Sequence, residues 1–322
     1  MHVCHWLRIH LVCKEMIEFE DANDFIATFE RIYSKKIIRI PYTTKDGLRK
    51  TMLMSKCGKS FVSLPYMSVG VVENKITDKT SAPFMLFETE EGNIISTNKL
   101  PWEIRDTLAH SPYILADKIF TWKNLADKED PLQLFSSSIR RKIRKSEKEG
   151  VVIKNGKSRN LIRDFYRVYS QRMSEKNLLP LSRQIIVNGV KSGVMTVFVA
   201  YKDNRIIGGA TLTNLNNGVC TNDLFATKKQ YNKYYVSYLL HFSMMKHALS
   251  EGAVYYSFGR CQRNSSVYDY NKQYNGEDIP LYWSYSKKKK YSICLKISNL
   301  ILTKLPYHLS KYFYPLLREY SY

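Results

Sequence analysis

The sequence has no unbroken apolar run of about 18 residues, the least that a membrane-crossing helix needs, so no such helix is expected. It has no repeat of fixed period, which argues against a repeat architecture. It has no Cys-x-x-Cys pair: Cys4, Cys13, Cys57, Cys220, Cys261 and Cys294 are scattered, as suits free thiols in a reducing compartment. Cys4, His5, His10 and Cys13 match no common zinc spacing, so no metal site is expected. No Gly-x-Ser-x-Gly elbow is present. The beginning of the chain lacks a secretory layout, because His2, His5, Arg8 and His10 interrupt its apolar residues and no small-residue cleavage site follows. A cytoplasmic protein is therefore expected, with residues 1–15 read as an extension ahead of a start at Met16. Acidic residues are also scarce: 29 Asp and Glu face 50 Lys and Arg, a formal net charge of +21. A field of that size favours polyanions, whether nucleic acid, anionic lipid headgroups or a diphosphate-linked substrate, and does not choose among them.

What is present supports a folded chain. Hydrophobic residues make up 44% and charged residues 25% of the 322, enough for a packed core in two domains or one large one. In the first part, residues 20–33 have the apolar spacing of a short helix, and residues 36–41 and 49–54 read as strands around a turn at Lys45-Asp46-Gly47. Further strands are predicted at 61–66, 69–72, 85–88 and 113–115, with a helix at 99–110.

After the polar break at residues 127–131, the serines at 136–138 and Gly150 bracket a helix. Ile139 and Ile143 share its apolar face, while Arg140, Arg144 and Lys148 form one basic stripe and Arg141 and Lys145 another. Then come a strand at 151–153, a helix at 160–175, a hairpin of strands at 195–201 and 205–215, a strand at 219–226, a helix at 231–250 and strands at 254–258 and 279–285. That order predicts an α/β mixed sheet flanked by helices. Gly259 reads as a turn at a strand end that leaves Arg260 near the rim, followed by a polar, tyrosine-rich loop over 268–276. A cation at a strand end, followed by hydroxyls and amides, suits an anionic or hydroxyl-rich ligand.

The order and these residues together resemble the GNAT acyltransferase fold, and more closely its Fem-type branch, the relatives of the peptidoglycan-bridge aminoacyltransferases. The signatures are Ser63-Leu64-Pro65-Tyr66 with Gly70, the basic run Arg140-Arg141-Lys142-Ile143-Arg144-Lys145 with Gly150, Tyr256-Ser257-Phe258-Gly259-Arg260, the segment 270–275, and Leu305-Pro306 with Tyr314-Pro315-Leu316. The likeness covers residues 60–285 and is strongest from 135 to 285. It implies two GNAT-like halves in tandem: a degenerate first half over 16–132, an acyltransferase half over 133–290, and an amphipathic tail over 291–322. Ser257 departs from the family's Asp, and Asn271 from its Lys, with Lys272 one position later.

The resemblance implies transfer of an acyl or aminoacyl group to an amine or hydroxyl of an anionic cell-wall or surface-polysaccharide precursor. The donor is either aminoacyl-tRNA or acyl-CoA, and no tightly bound cofactor is implied. Acyl-CoA enzymes of this fold carry a glycine-rich loop before the long helix, where backbone N–H groups meet pyrophosphate. Here the loop is Gln230-Tyr231-Asn232-Lys233-Tyr234-Tyr235, without glycine, which agrees better with the tRNA donor. Acyl transfer needs a deprotonated amine, alignment and a stabilised oxyanion. Asp223, on a central strand, is the candidate general base, and Tyr256 a candidate oxyanion donor. Arg260, Tyr268, Lys272, Arg141, Lys142 and Lys145 are the candidate substrate-binding residues. Lys287–Lys290 and the apolar residues after it form a tail suited to peripheral contact with an anionic bilayer at the inner face of the membrane. Two other readings stand beside this one: an acyl-CoA-dependent N-acyltransferase on a nucleotide sugar, and a non-catalytic basic scaffold that binds RNA or membrane.

Overall fold

The computed structural model describes residues 17–288 apart from 68–69, 75–81, 99, 107, 126–129, 177 and 215–217. The N-terminal extension, with Cys4, His5, His10 and Cys13, and the amphipathic tail lie outside the described residues. The chain divides into two compact units. Among the described residues, unit 1 holds 17–119 and 279–288, and unit 2 is the single stretch Phe120–Asp278. The division was expected at 132/133; instead it falls at Ile119, and the chain rejoins unit 1 at Ile279.

Unit 1 is a mixed sheet with one helix. Its strands are β1 (Ile17–Phe19), β2 (Ile38–Thr43), β3 (Arg49–Cys57), β4 (Ser60–Val62), β5 (Val71–Glu73), β6 (Leu86–Glu88), β7 (Ile94–Ser96) and β8 (Trp102–Asp106). β9 (Ile114–Asn124) begins in this unit, and the end of β15 (Glu277–Tyr285) pairs antiparallel with β8. The hairpin of β2 and β3 forms as predicted, with Gly47 at φ +80° in its turn. Helix α1 (Asn23–Tyr33) buries Phe29 and Ile32. The fully buried Glu73 accepts the Ala22 N–H at 2.9 Å, just ahead of that helix, and binds Arg39 Nε at 2.8 Å.

The helix predicted over 99–110 is a strand. All five residues of β8 are buried, charged ones included. Arg105 is fully buried, pairs with Glu103 at 2.9 Å, and lies 4.3 Å from the centre of the Trp283 ring. The charged residues of β8 find their partners inside a sheet.

Unit 2 is built as the sequence order predicts, with two helices added. A 3-10 turn at Pro131–Leu134 leads into helix α2 (Ser137–Lys148), whose first turn is capped by the Ser136 hydroxyl accepting from Ile139 N–H. Then follow β10 (Val152–Gly156), α3 (Arg159–Glu175), the additional helix α4 (Arg183–Lys191), β11 (Met195–Lys202), β12 (Arg205–Asn214), β13 (Val219–Thr227), α5 (Val236–Ser250), β14 (Tyr255–Gln262) and α6 (Ser266–Lys272). β10 to β13 are antiparallel neighbours in sequence order, and β14 runs parallel to β13. Ile139 and Ile143 of α2 join α5 and one face of this sheet in the largest core cluster.

Two local expectations change. β14 does not stop at Gly259 but continues through Arg260 to Gln262, with Gly259 inside the strand at φ +77°. The polar loop after it contains α6, capped by Ser265. The long helix starts at Val236, five residues later than predicted, because residues 229–234 form a 3-10 turn and Tyr235 is left-handed at φ 52°.

Candidate active site

The β12–β13 register breaks once. Thr211 faces Leu224, but the next residue, Leu212, faces Asn222. Asp223 is therefore the extra residue of a β-bulge, a device that re-aims a side chain and recurs beside active sites. On the other side of β13, the parallel ladder to β14 runs over only three pairs and ends at Thr221 and Ser257. Asp223 follows directly after that end.

Alternation on β12 puts Thr211 and Thr213 on one face and Leu212 on the other. Leu212 packs with α5, as does Cys220 of β13, so the threonines face the opposite way. Their Oγ1 atoms are buried and have no protein hydrogen-bond partner. Asp223 is solvent-accessible yet closely ringed by protein. That crowding pushes its carboxyl up to about 6, against a smaller pull downward from the nearby Thr213 hydroxyl and from the charge of Arg260. Thr213 is near enough to favour the carboxylate, though it makes no hydrogen bond of normal geometry. The charge of Arg260 reaches Asp223, and two threonines that sequence reasoning missed lie on β12 beside the bulge. Their signal was present: hydroxyls at 211 and 213, two apart in a strand, share one face.

The remaining predicted residues divide. Tyr256 is fully buried, and its hydroxyl lies 2.7 Å from His241 Nδ1, so it is a core residue and not an oxyanion donor. Tyr268 is buried and donates to Asp278 at 2.6 Å, which leaves its hydroxyl committed within the fold. Lys272 is exposed on α6, with its ammonium 5.3 Å from the Tyr268 ring centre rather than at Asp223. On α2, Lys142 turns inward and donates to Tyr238 Oη at 2.9 Å and Gln273 Oε1 at 3.2 Å. Arg141 and Lys145 face solvent, and the Lys145 ammonium lies 5.4 Å from the ring centre of Tyr235, at the start of α5. Lys202 and Lys233 approach the Tyr234 ring at 4.8 and 5.1 Å. The loop before α5 is therefore lined with ammonium groups resting on tyrosines, where acyl-CoA enzymes of this fold would have glycine.

Residues 134–272 match the family described as the acetyltransferase (GNAT) domain. Unit 2 has the GNAT fold. A comparison with curated proteins returned no match. Among solved structures, the chain is similar to FemX at 12% identity and a TM-score of 0.53, covering 80% of this chain and 90% of that one. It is also similar to the C-terminal domain of a putative lysylphosphatidylglycerol synthetase from Agrobacterium fabrum, at 11% identity and a TM-score of 0.47, with coverage of 86% and 91%. The fold is that of the Fem-like GNAT relatives, and the likeness to FemX extends beyond the GNAT domain itself. Among the described residues, no helix is long and apolar enough to cross a membrane, and no cluster of His, Cys, Asp or Glu could hold a metal ion.

Proposed function

We propose that the GNAT domain transfers an acyl or aminoacyl group to an amine or hydroxyl of an anionic cell-envelope precursor, with Asp223 as general base. The observation that carries this reading is the bulged Asp223: solvent-accessible, within reach of the Arg260 charge, with a carboxyl at about 6. A base poised near neutral pH is ionised in the cell and strong enough to take a proton from an attacking ammonium or hydroxyl. The freed lone pair attacks the donor's carbonyl carbon and a tetrahedral oxyanion forms. Its collapse breaks the bond to the donor's sulfur or oxygen, which leaves with a proton. Arg260, whose charge reaches Asp223, would hold an anionic group of the acceptor. We read unit 1 as a reduced GNAT-like half.

The donor proposed is aminoacyl-tRNA. The net charge of +21 and the lysine-lined loop before α5 support a phosphate-rich partner. Tyr235, at φ 52°, is a bulky side chain where close approach of a pyrophosphate calls for glycine. Membrane contact through the C-terminal tail would serve a lipid-linked acceptor. The test incubates the protein with aminoacyl-tRNA or acyl-CoA and with cell-envelope precursors, and reads the acceptor's mass. The expected result is a donor-dependent mass gain that Asp223→Asn abolishes. No gain with either donor would overturn the reading. Gain with acyl-CoA and a nucleotide sugar alone would instead favour the N-acyltransferase alternative.

A further inference from the structure

The GNAT domain has a concavity on the α5 face of its sheet, the face opposite Thr211 and Thr213. It is a pocket of about 230 Å³, and the side chains that matter in its wall are Ser192, Thr196, Asn214, Cys220, His247 and Glu251. Ser192 follows α4, Thr196 and Asn214 lie near the paired ends of β11 and β12, and His247 and Glu251 come from the last turn of α5 and the residue beyond it. Apart from Cys220 and the aliphatic wall, these groups are polar. The Ser192 hydroxyl is buried without a protein partner, and Thr196 is only 9% exposed.

Charges of both signs lie near the pocket, Glu251 in its wall and Lys157 beside Gly193 of that wall. Glu251 Oε1 stands 4.0 Å from His247 Nε2. Lys157 Nζ donates to the carbonyl of Gly193, another wall residue, at 3.3 Å. His247 is influenced by both: burial lowers its affinity for a proton, Glu251 raises it and Lys157 lowers it further. The balance favours the neutral imidazole, in which one ring nitrogen donates and the other accepts. A hydroxyl-lined pocket with one carboxylate and one ammonium near it complements a small zwitterion.

We propose that this pocket binds a small free α-amino acid, its ammonium beside Glu251, its carboxylate beside Lys157, and its polar atoms met by Ser192 and Thr196. Such a ligand is matched at both charged ends, whereas a simple amine or a simple carboxylate is matched at one. The site is distinct from the Asp223 face but built on the same strands. Asn214 and Cys220 enter the pocket from β12 and β13, which carry Thr213 and Asp223 on the other side. A bound amino acid thus stiffens the strand pair that holds the bulge. Binding does not rest on the proposed transfer reaction and can be measured without it.

The experiment is calorimetric and thermal titration of the full chain with L-serine, glycine and L-alanine, beside ethanolamine and lactate as half-matched probes. Saturable binding of at least one amino acid is expected, about tenfold or more tighter than ethanolamine or lactate. Glu251→Gln and Lys157→Gln are each expected to weaken it by about tenfold while leaving the unliganded melting temperature unchanged. Amide resonances of residues 192–196 and 247 should shift on titration. Three results would overturn the proposal: no saturable binding of any of the three amino acids, equal binding of ethanolamine or lactate, or binding unchanged in both variants.

Discussion

Gly259 lies so close to Asn222 that a Cβ added to it would stand 2.4 Å from the Asn222 carbonyl oxygen. Backbone, unlike the end of a flexible side chain, does not give way cheaply. Gly259 is also at φ +77°, a conformation that an L side chain resists. Both constraints act next to the residue that begins the bulge. Gly259→Ala is therefore expected to cost about 2 kcal/mol or more in denaturant unfolding. It should also lower the transfer rate in whatever fraction remains folded, because relief of the clash displaces Asn222 and with it Asp223.

Asp223→Asn keeps the side-chain shape and removes the base, so a loss of about 100-fold or more in rate is expected. In the unaltered protein the rate should rise through pH 6, where the carboxyl ionises, and then level off. Stability should respond in the opposite sense. A carboxyl raised to about 6 in the folded state holds its proton where the unfolded chain has already lost it. Folding is then most favourable below the ordinary carboxylate range and weakens as pH rises through 6. Thermal melting at pH 4 should barely distinguish Asp223→Asn from the parent, and at pH 8 the variant should melt higher. Equal melting at pH 8 would argue against a crowded carboxylate.

Much of unit 2 was legible because its signals are local. The serines before α2, the Asp203-Asn204 turn and the alternation of β11 and β12 each name their element without help from the rest of the chain. Unit 1 was harder to read because its strands are short and its polar residues are buried. β8 spells Trp-Glu-Ile-Arg-Asp, and nothing in those letters says that Glu103 and Arg105 pair with each other in a sheet interior. The candidate site was half visible. Asp223 and Arg260 were found as charged residues on or beside predicted strands. The bulge is a property of register, which one strand cannot announce, and Tyr256 looked available only because the histidine that takes its hydroxyl lies one helix earlier.

His241 is buried among aromatic rings, stacked 4.6 Å from Phe225, and burial pushes its imidazole down to about 3. The unfolded chain takes up a proton near pH 6.5 that the folded chain refuses, so stability should fall as pH drops from about 6.5 toward 3. At pH 7.5, His241→Phe should destabilise by about 1–2 kcal/mol, since it leaves the Tyr256 hydroxyl only the weakly accepting Met244 sulfur at 3.8 Å. Adding Tyr256→Phe should recover most of that loss, and at pH 5 the gap between His241→Phe and the parent should narrow. A double-mutant cycle read by urea unfolding at the two pH values checks all three.

The two kinds of basic residue on α2 should separate in experiment. Lys142 joins Tyr238 and Gln273, so Lys142→Met is expected to cost about 1 kcal/mol of stability. Arg141 and Lys145 are exposed, and their replacement by Ala should leave melting unchanged. If tRNA docks on this face, each of these two changes should lower the slope of log affinity against log salt by about 1 in fluorescence anisotropy. Unchanged slopes would direct the search for a polyanion away from α2.

Among the described residues unit 2 is one uninterrupted stretch, whereas unit 1 needs a strand from the far side of it. The His110 amide is held by the Ser284 hydroxyl, 174 residues further along, and the ring that covers Arg105 belongs to Trp283. On the ribosome the GNAT domain can therefore close first, while β8 waits with its charged pair uncovered on one flank. Truncation ahead of residue 282 is expected to leave β8 without its β15 partner and to expose a sticky, chaperone-binding sheet edge.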